Sequence, residues 1–492
     1  MGIVARQSLF NSLITYTGIG LGFILTVLLY PHILNPDQYG LTRVLISASM
    51  ISAQFAHLGV RQSIIKYFPF FTRAGGKQHG LLFWTFLIPL FGFILFGLIF
   101  WLFQDSILNY YRDESPLFTD YYLWVLPITF FILYFEVLNS YLRSLKDSTS
   151  GSMVSEVLNR VLVILFLGLY FFGLIRFSHF ILLFAISYGV QPIVLAAQIY
   201  RKGEFRLAPN LDILRKPLVK GISTYGLYSL LGGLTTVIVW NVDIIMLGSM
   251  SGLADTGIYA IAFYIGSVIT VPQRSIEKIA APLVSGFITE KDWVSLADIY
   301  RKTSLNQLIT GLFIFGLIWL NIDIVFALLP DQYSAGKWVV FIIGIGKMFD
   351  LATGVNGAIL MNSKHYRVAF YTNLLLVGLT ILANYLLIPV YGILGAAIAT
   401  ALSVGFYNTV KYFYVWAKMK MQPFQRSSFF ITLLGIVTIG GIFIFINVDS
   451  MFINTLLRNA LFLATFLLPI LYMNVSPDLN RLIGKILTLK KP

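Results

Sequence analysis

Fourteen apolar runs follow one another along the chain, at residues 9–31, 40–60, 80–103, 120–141, 152–174, 178–200, 222–248, 256–274, 304–326, 337–361, 368–389, 394–416, 427–447 and 454–474. Each is long enough to cross a bilayer as a helix, which takes about 20 residues. In hydrocarbon every backbone N–H and C=O must be paired within its own segment, so such a succession predicts an all-α polytopic membrane protein. Composition agrees: 11% of the 492 residues are charged, against about 25% in a soluble protein. The first run lacks a small-residue cleavage site and precedes thirteen others, so it reads as an anchor rather than a signal peptide.

The loops alternate in charge. One set, including Arg6, Arg61, Lys66, Arg73, Lys77, Arg143, Lys146, the stretch Arg201 to Lys220 and the tail Arg481 to Lys491, collects 27 lysines and arginines; the other holds four, Arg112, Arg176, Lys337 and Arg458. The positive-inside rule converts that asymmetry into an orientation with both termini cytoplasmic in a multi-pass membrane protein. The net charge of +14 is therefore a topology signal and not the footprint of a nucleic-acid partner. Outward loops are too short to hold a catalytic domain. Within the long inward segment Gln273 to Thr303, Trp293, Leu296, Ile299 and Tyr300 recur at helical spacing, which predicts either an amphipathic helix on the inner leaflet or a connector.

The spans divide as six, six and two. This organisation predicts a six-helix bundle over 1–205, a basic linker over 206–221, a second bundle over 222–420, and two extra helices with a basic tail over 421–492. A faint repeat supports the two halves: the loop after span one reads Asp37-Gln-Tyr-Gly40 and that after span seven Asp255-Thr-Gly257. Parallel repeats of this kind are found in transporters.

Enzymatic chemistry has no sequence support. There is no cysteine, there are five scattered histidines, and no Walker A, His-Glu-x-x-His, Gly-x-Ser-x-Gly or Gly-x-Gly-x-x-Gly sequence occurs, so no metal or other cofactor is expected. What remains is a set of ionisable residues inside spans: Arg43, Glu136, Glu156, Arg160, Asp243, Lys347, Asp350 and Lys411. Each costs roughly 2.5 to 3.5 kcal/mol at a helix centre and needs a partner or water. Glu156 and Arg160, four apart, and Lys347 and Asp350, three apart, either neutralise each other or face a cavity. Lys411 either snorkels to the interface or faces that cavity, and Arg43 sits one turn from the outer surface. Glu136 and Asp243 have no cation within a turn on their own helices, which leaves a partner on another helix or a proton-binding role.

The segment Asn384-Tyr-Leu-Leu-Ile-Pro-Val-Tyr-Gly-Ile-Leu-Gly-Ala-Ala-Ile-Ala-Thr400 resembles the junction of spans eleven and twelve in polysaccharide (O-antigen, Wzx-like) flippases of the multidrug/oligosaccharidyl-lipid/polysaccharide exporter superfamily. The stretches Arg6 to Gly40, His57-Leu-Gly-Val-Arg-Gln-Ser-Ile-Ile-Lys-Tyr-Phe68 and Asp243-Ile-Ile-Met-Leu-Gly248, and Pro282 with the helix after it, fit the same pattern. The resemblance implies a MATE-like fold, with two six-helix bundles around a central cavity and two C-terminal helices. It also implies a substrate, an undecaprenyl-pyrophosphate-linked oligosaccharide carried to the periplasmic leaflet for lipopolysaccharide or related synthesis, with membrane lipids and a glycan polymerase or other assembly protein as partners. A pyrophosphate crossing the membrane needs compensating cations, for which Arg160, Lys347, Lys411 and Arg43 are the candidates. Glu136, Asp243 and Asp350 are the candidates for ion coupling. A drug exporter of the MATE type should have a net acidic cavity, and a glycan-processing membrane enzyme should carry a large external loop or a histidine within a span; only His57, near the inner end of span two, approaches the latter.

Overall fold

The computed structural model describes residues 3–72, 80–209 and 216–481. Arg73, Lys77, Arg215 and the tail lysines Lys485, Lys490 and Lys491 lie outside these residues. All regular structure among the described residues is helical. Eleven helices are long and apolar enough to cross a membrane, and Asp331–Ala352 with Asn356–Asn362, bent by 49°, makes a twelfth span. Tyr366–Met419 holds two: at Gly392 the backbone takes φ 54°, ψ −128°, a conformation open to glycine and strained for any side chain. Pro36–Ala56 supplies the remaining segment. Its buried Ser47, Ser49, Ser52 and Gln54 make it more polar than the others. Every one of the fourteen expected segments is therefore helical.

The chain forms two compact units, Met1–Gly257 and Ile258–Pro492. In the first, helix α1 (Pro36–Ala56) is central. Asn35 caps it by accepting from the Gln38 N–H at 2.8 Å, with Pro36 in the first turn where no N–H is required. It packs against α2 (Val125–Ser144) and α3 (Lys216–Met250). The packing of α3 along α1 carries the first unit past the basic linker to Gly257. Between Ala56 and α4 (Val60–Thr72) the chain breaks at Leu58 and Gly59, with φ of 48° and 79°. The helix then resumes, so Arg61 is on a helix and not in a loop.

The two glycines of the faint repeat meet. A Cβ on Gly40 would overlap the Leu253 carbonyl and lie 3.1 Å from the Gly257 nitrogen; one on Gly257 would overlap the Pro36 carbonyl and lie 3.3 Å from the Gly40 nitrogen. The start of α1 and the residues 253–257 thus cross backbone to backbone, which only small residues permit.

In the second unit, Val271–Glu290 (α5) turns at Lys291 and Asp292 into α6 (Trp293–Leu320), whose first turn is capped by the Asp292 carboxylate at 3.0 Å from the Ser295 N–H. Leu296 and Tyr300 are fully buried in a cluster with Val284, Val355, Ile359 and Val415. Of the two readings of this segment, the burial of Leu296 and Tyr300 on protein fits the connector, while Trp293 on the same face stays exposed. Helix α7 (Lys337–Ala352) crosses the second half of α8 (Tyr366–Met419), where Gly346 lies against Ala401.

The C-terminal helices α9 (Arg426–Phe445) and α10 (Met451–Phe462) are joined to α6 by Arg458. Its guanidinium is buried and donates to the carbonyls of Ile446 at 3.0 Å, Leu320 at 3.1 Å and Phe443 at 3.5 Å, and to Asn447 Oδ1 at 2.7 Å. The carbonyls at the end of a helix have no partner within it, so one side chain completes the ends of α6 and α9.

Candidate functional site: buried charges in the two units

Glu136, on α2, finds its cation on another helix. Its Oε2 lies 3.1 Å from Arg61 Nε, with both side chains about one-third exposed. The pair lines a cavity of about 170 Å³ that also presents Gln54, His57, Trp240 and Asn241. Sequence reasoning missed Arg61 because it was counted among loop charges. The signal was present in His57-Leu-Gly, whose glycine lets the helix break and restart.

Arg43 is half-buried, with its guanidinium carbon 5.0 Å from the Tyr39 ring centroid and 5.6 Å from that of Tyr30. Two aromatic faces thus hold the charge. Arg160 pairs with Glu156 at 2.7 Å on the same helix, one of the two arrangements its spacing allowed. Helix Ile3–Phe23 approaches so closely that a Cβ on Gly18 would lie 2.8 Å from Glu156 Cβ. Asp243 is buried on α3.

The second unit gathers its polar groups where α5, α7 and α8 meet. Asp350 takes its hydrogen bonds from other helices: Asn408 Nδ2 at 2.9 Å and Gln273 Nε2 at 3.3 Å. Gln273 also donates to Glu277 Oε1 at 2.9 Å, and Thr353 donates to Asn408 Oδ1 at 3.2 Å. Lys411 is buried with its Nζ 3.9 Å from the Tyr407 ring centroid, in the field of Asp350 and Glu277. It does not snorkel. Tyr407 in turn donates to Asn373 Oδ1 at 2.6 Å. Lys347, also buried, has its Nζ 5.5 Å from the Phe263 ring centroid. Of the candidate cations, Lys411 is thus embedded in a polar network with Asp350, while Arg43 and Lys347 rest on aromatic rings.

The helical spans make this an integral membrane protein, and the fold is MATE-like. It superposes on the lipid II flippase MurJ in an inward closed conformation with a TM-score of 0.71, covering 96% of this chain and 99% of that one at 15% identity. Residues 4–282 match the family described as polysaccharide biosynthesis protein, and the chain belongs to that family. An uncharacterised membrane protein of Methanocaldococcus jannaschii is 24% identical over 91% of this chain and 89% of its own length. The probable low-salt glycan biosynthesis flippase of Haloferax volcanii is 21% identical over 54% of this chain and 56% of its own. The Haloferax relative and the structural neighbour MurJ are both named as flippases, not as enzymes.

Proposed function

We propose that the chain flips an undecaprenyl-pyrophosphate-linked oligosaccharide from the cytoplasmic to the outer leaflet by alternating access between two helical bundles, 1–205 and 222–420. The observation that carries this reading is the family match over residues 4–282. Physical chemistry supports it: a pyrophosphate needs cations in a medium of low dielectric, and Arg43, Arg160, Lys347 and Lys411 are those inside spans. With no nucleotide motif in the sequence, outward movement draws on an ion gradient or on consumption of the product outside. Glu136, Asp243 and Asp350 are the coupling candidates. The 27 to 4 loop asymmetry supports an orientation with both termini cytoplasmic, and the polysaccharide-flippase resemblance supports a bacterial inner membrane. A glycan polymerase is the natural downstream partner.

The test is deletion of the gene in its source organism, followed by measurement of lipid-linked repeat units on the inner leaflet. Accumulation that the wild-type chain reverses, but Arg160→Gln with Lys347→Gln does not, is the expected result. Absence of accumulation, with surface glycan unchanged, would overturn the reading. Reporter fusions at Lys216 and after Lys491 read the orientation; periplasmic activity at either contradicts it.

A further inference from the structure

Span two is a helix in two pieces. After Ala56 the backbone takes φ 48° at Leu58, a left-handed conformation that strains a bulky side chain, and φ 79° at Gly59. The break is built into the chain: the N–H groups of Gly59 and Val60 turn back to His57, donating to its Nδ1 and its carbonyl at 2.9 Å each. Glycines of two neighbouring helices meet it. A Cβ on Gly59 would overlap the Gly226 carbonyl of α3, and one on Gly92, in the helix Leu81–Leu102, would overlap the Ala56 carbonyl. Backbones that meet on glycine interlock no side chains, and a few residues at the end of an element are where hinges form.

The two flanks of α4 differ. Toward α2 its strongest tie lies beside the break, where Arg61 reaches Glu136 at 3.1 Å; farther along, Phe68 meets Tyr141 only edge-on, with ring centroids 5.9 Å apart. Toward α3, past the glycine crossing, the Ser63 hydroxyl donates to the Ile222 carbonyl at a long 3.5 Å, and Lys66 Nζ lies 3.9 Å from the centroid of the Tyr225 ring. Alongside that seam runs a crevice of about 200 Å³, walled by Ile64, Tyr67 and Phe71 of α4, Leu81 and Ile88 of the helix Leu81–Leu102, and Val219 of α3. Packed interiors leave few voids larger than a water molecule, so α4 has room to tilt without displacing a neighbour. We propose that the seam between α3 and α4 is a gate hinged at Leu58 and Gly59. In it α4 tilts about the break, parts from α3 at Gly226, and opens toward the cytoplasm the cavity that Arg61 and Glu136 line, while Arg61, next to the pivot, keeps its bridge. The proposal rests on the flippase reading for the side to which the gate opens.

The sequence contains no cysteine, so thiols can be placed singly or in pairs in the full-length protein. A Cβ on Gly226 would lie 3.3 Å from Ser63 Oγ, so Ser63→Cys with Gly226→Cys should form a disulfide across the closed seam under mild oxidation. In the deletion strain the oxidised pair should lose glycan export and regain it on reduction, while the wild-type protein responds to neither treatment. Spin labels at Phe70→Cys on α4 and Tyr228→Cys on α3, both exposed, read the opening without any substrate. The purified protein in a lipid bilayer should show a short and a long distance. Gly59→Ala, which overpacks the closed crossing, should raise the share of the long one about tenfold. If the cysteine pair at 63 and 226 does not insert, the distances decide alone. Failure of the inserted pair to cross-link, a cross-link that leaves export intact, or one short distance with and without Gly59→Ala would each overturn the gate. Should the distances open while the deletion strain accumulates no lipid-linked glycan, the flippase reading fails and the hinged seam stands; accumulation with one fixed distance removes the seam and leaves that reading in place.

Discussion

Gly40 and Gly257 oppose each other reciprocally: a Cβ on either would come within 3.3 Å of the other's backbone nitrogen. Gly40→Ala and Gly257→Ala should each force the crossing apart and cost about 1–3 kcal/mol, the range for overpacking. Because both strain one contact, the double variant should lose less than the sum of the singles. Thermal unfolding of the purified protein reads this, and strict additivity would contradict the crossing.

Lys411 is itself buried, and it offsets Asp350 and Glu277, which remain partly open to solvent. Lys411→Met should lower stability by about 1–3 kcal/mol, less than the full cost of breaking a buried ion pair because the carboxylates keep some solvent. Adding Asp350→Asn should recover part of that loss. A double variant no better than the single would show that the lysine acts through its packing on Tyr407 alone.

Asp147 lies in the turn before Thr149–Phe171, where it accepts from the Ser150 N–H at 3.1 Å and the Ser150 hydroxyl at 2.9 Å and pairs with Lys202 at 3.3 Å. Burial opposes its ionisation, but the Ser150 donors and the Lys202 ammonium together outweigh it and hold the carboxyl below its usual range. A depressed value means stability that is present above the unfolded value near 3.8 and lost as pH falls through the folded one. Asp147→Asn keeps an acceptor for the Ser150 N–H but loses the charge facing Lys202, so it should cost about 0.5–1 kcal/mol at neutral pH. The gap to wild type should close below that value; unfolding curves across pH would show it, and a constant gap would refute the linkage.

Arg458→Lys keeps the charge but not the fork of donors that reaches three carbonyls. The last two helices should loosen from α6, exposing the chain near Asn447 to protease at least about tenfold faster, the equivalent of about 1.4 kcal/mol. Unchanged cleavage would mean that apolar packing alone holds them.

The spans were legible because hydropathy along one segment records its own environment, and even the helix broken at Gly392 was read as two. The partner of each charge was not. Spacing sees neighbours on one helix, so it found Glu156 with Arg160 but could not see that Asp350 accepts from Asn408 and Gln273. Arg61 was hidden by a break of two residues with positive φ, after which the helix restarts. Leu296 and Tyr300 showed an apolar face, but periodicity does not distinguish a face turned to lipid from one turned to protein.

The Arg458 clamp bears on the order in which the molecule is made. The carbonyls of Leu320, Phe443 and Ile446 leave the ribosome before the residue that completes them. Until residue 458 is in place, the ends of two earlier helices wait with open acceptors, so the final hairpin closes the second unit in the manner of a keystone, and a nascent chain halted after α9 would be an arch without one.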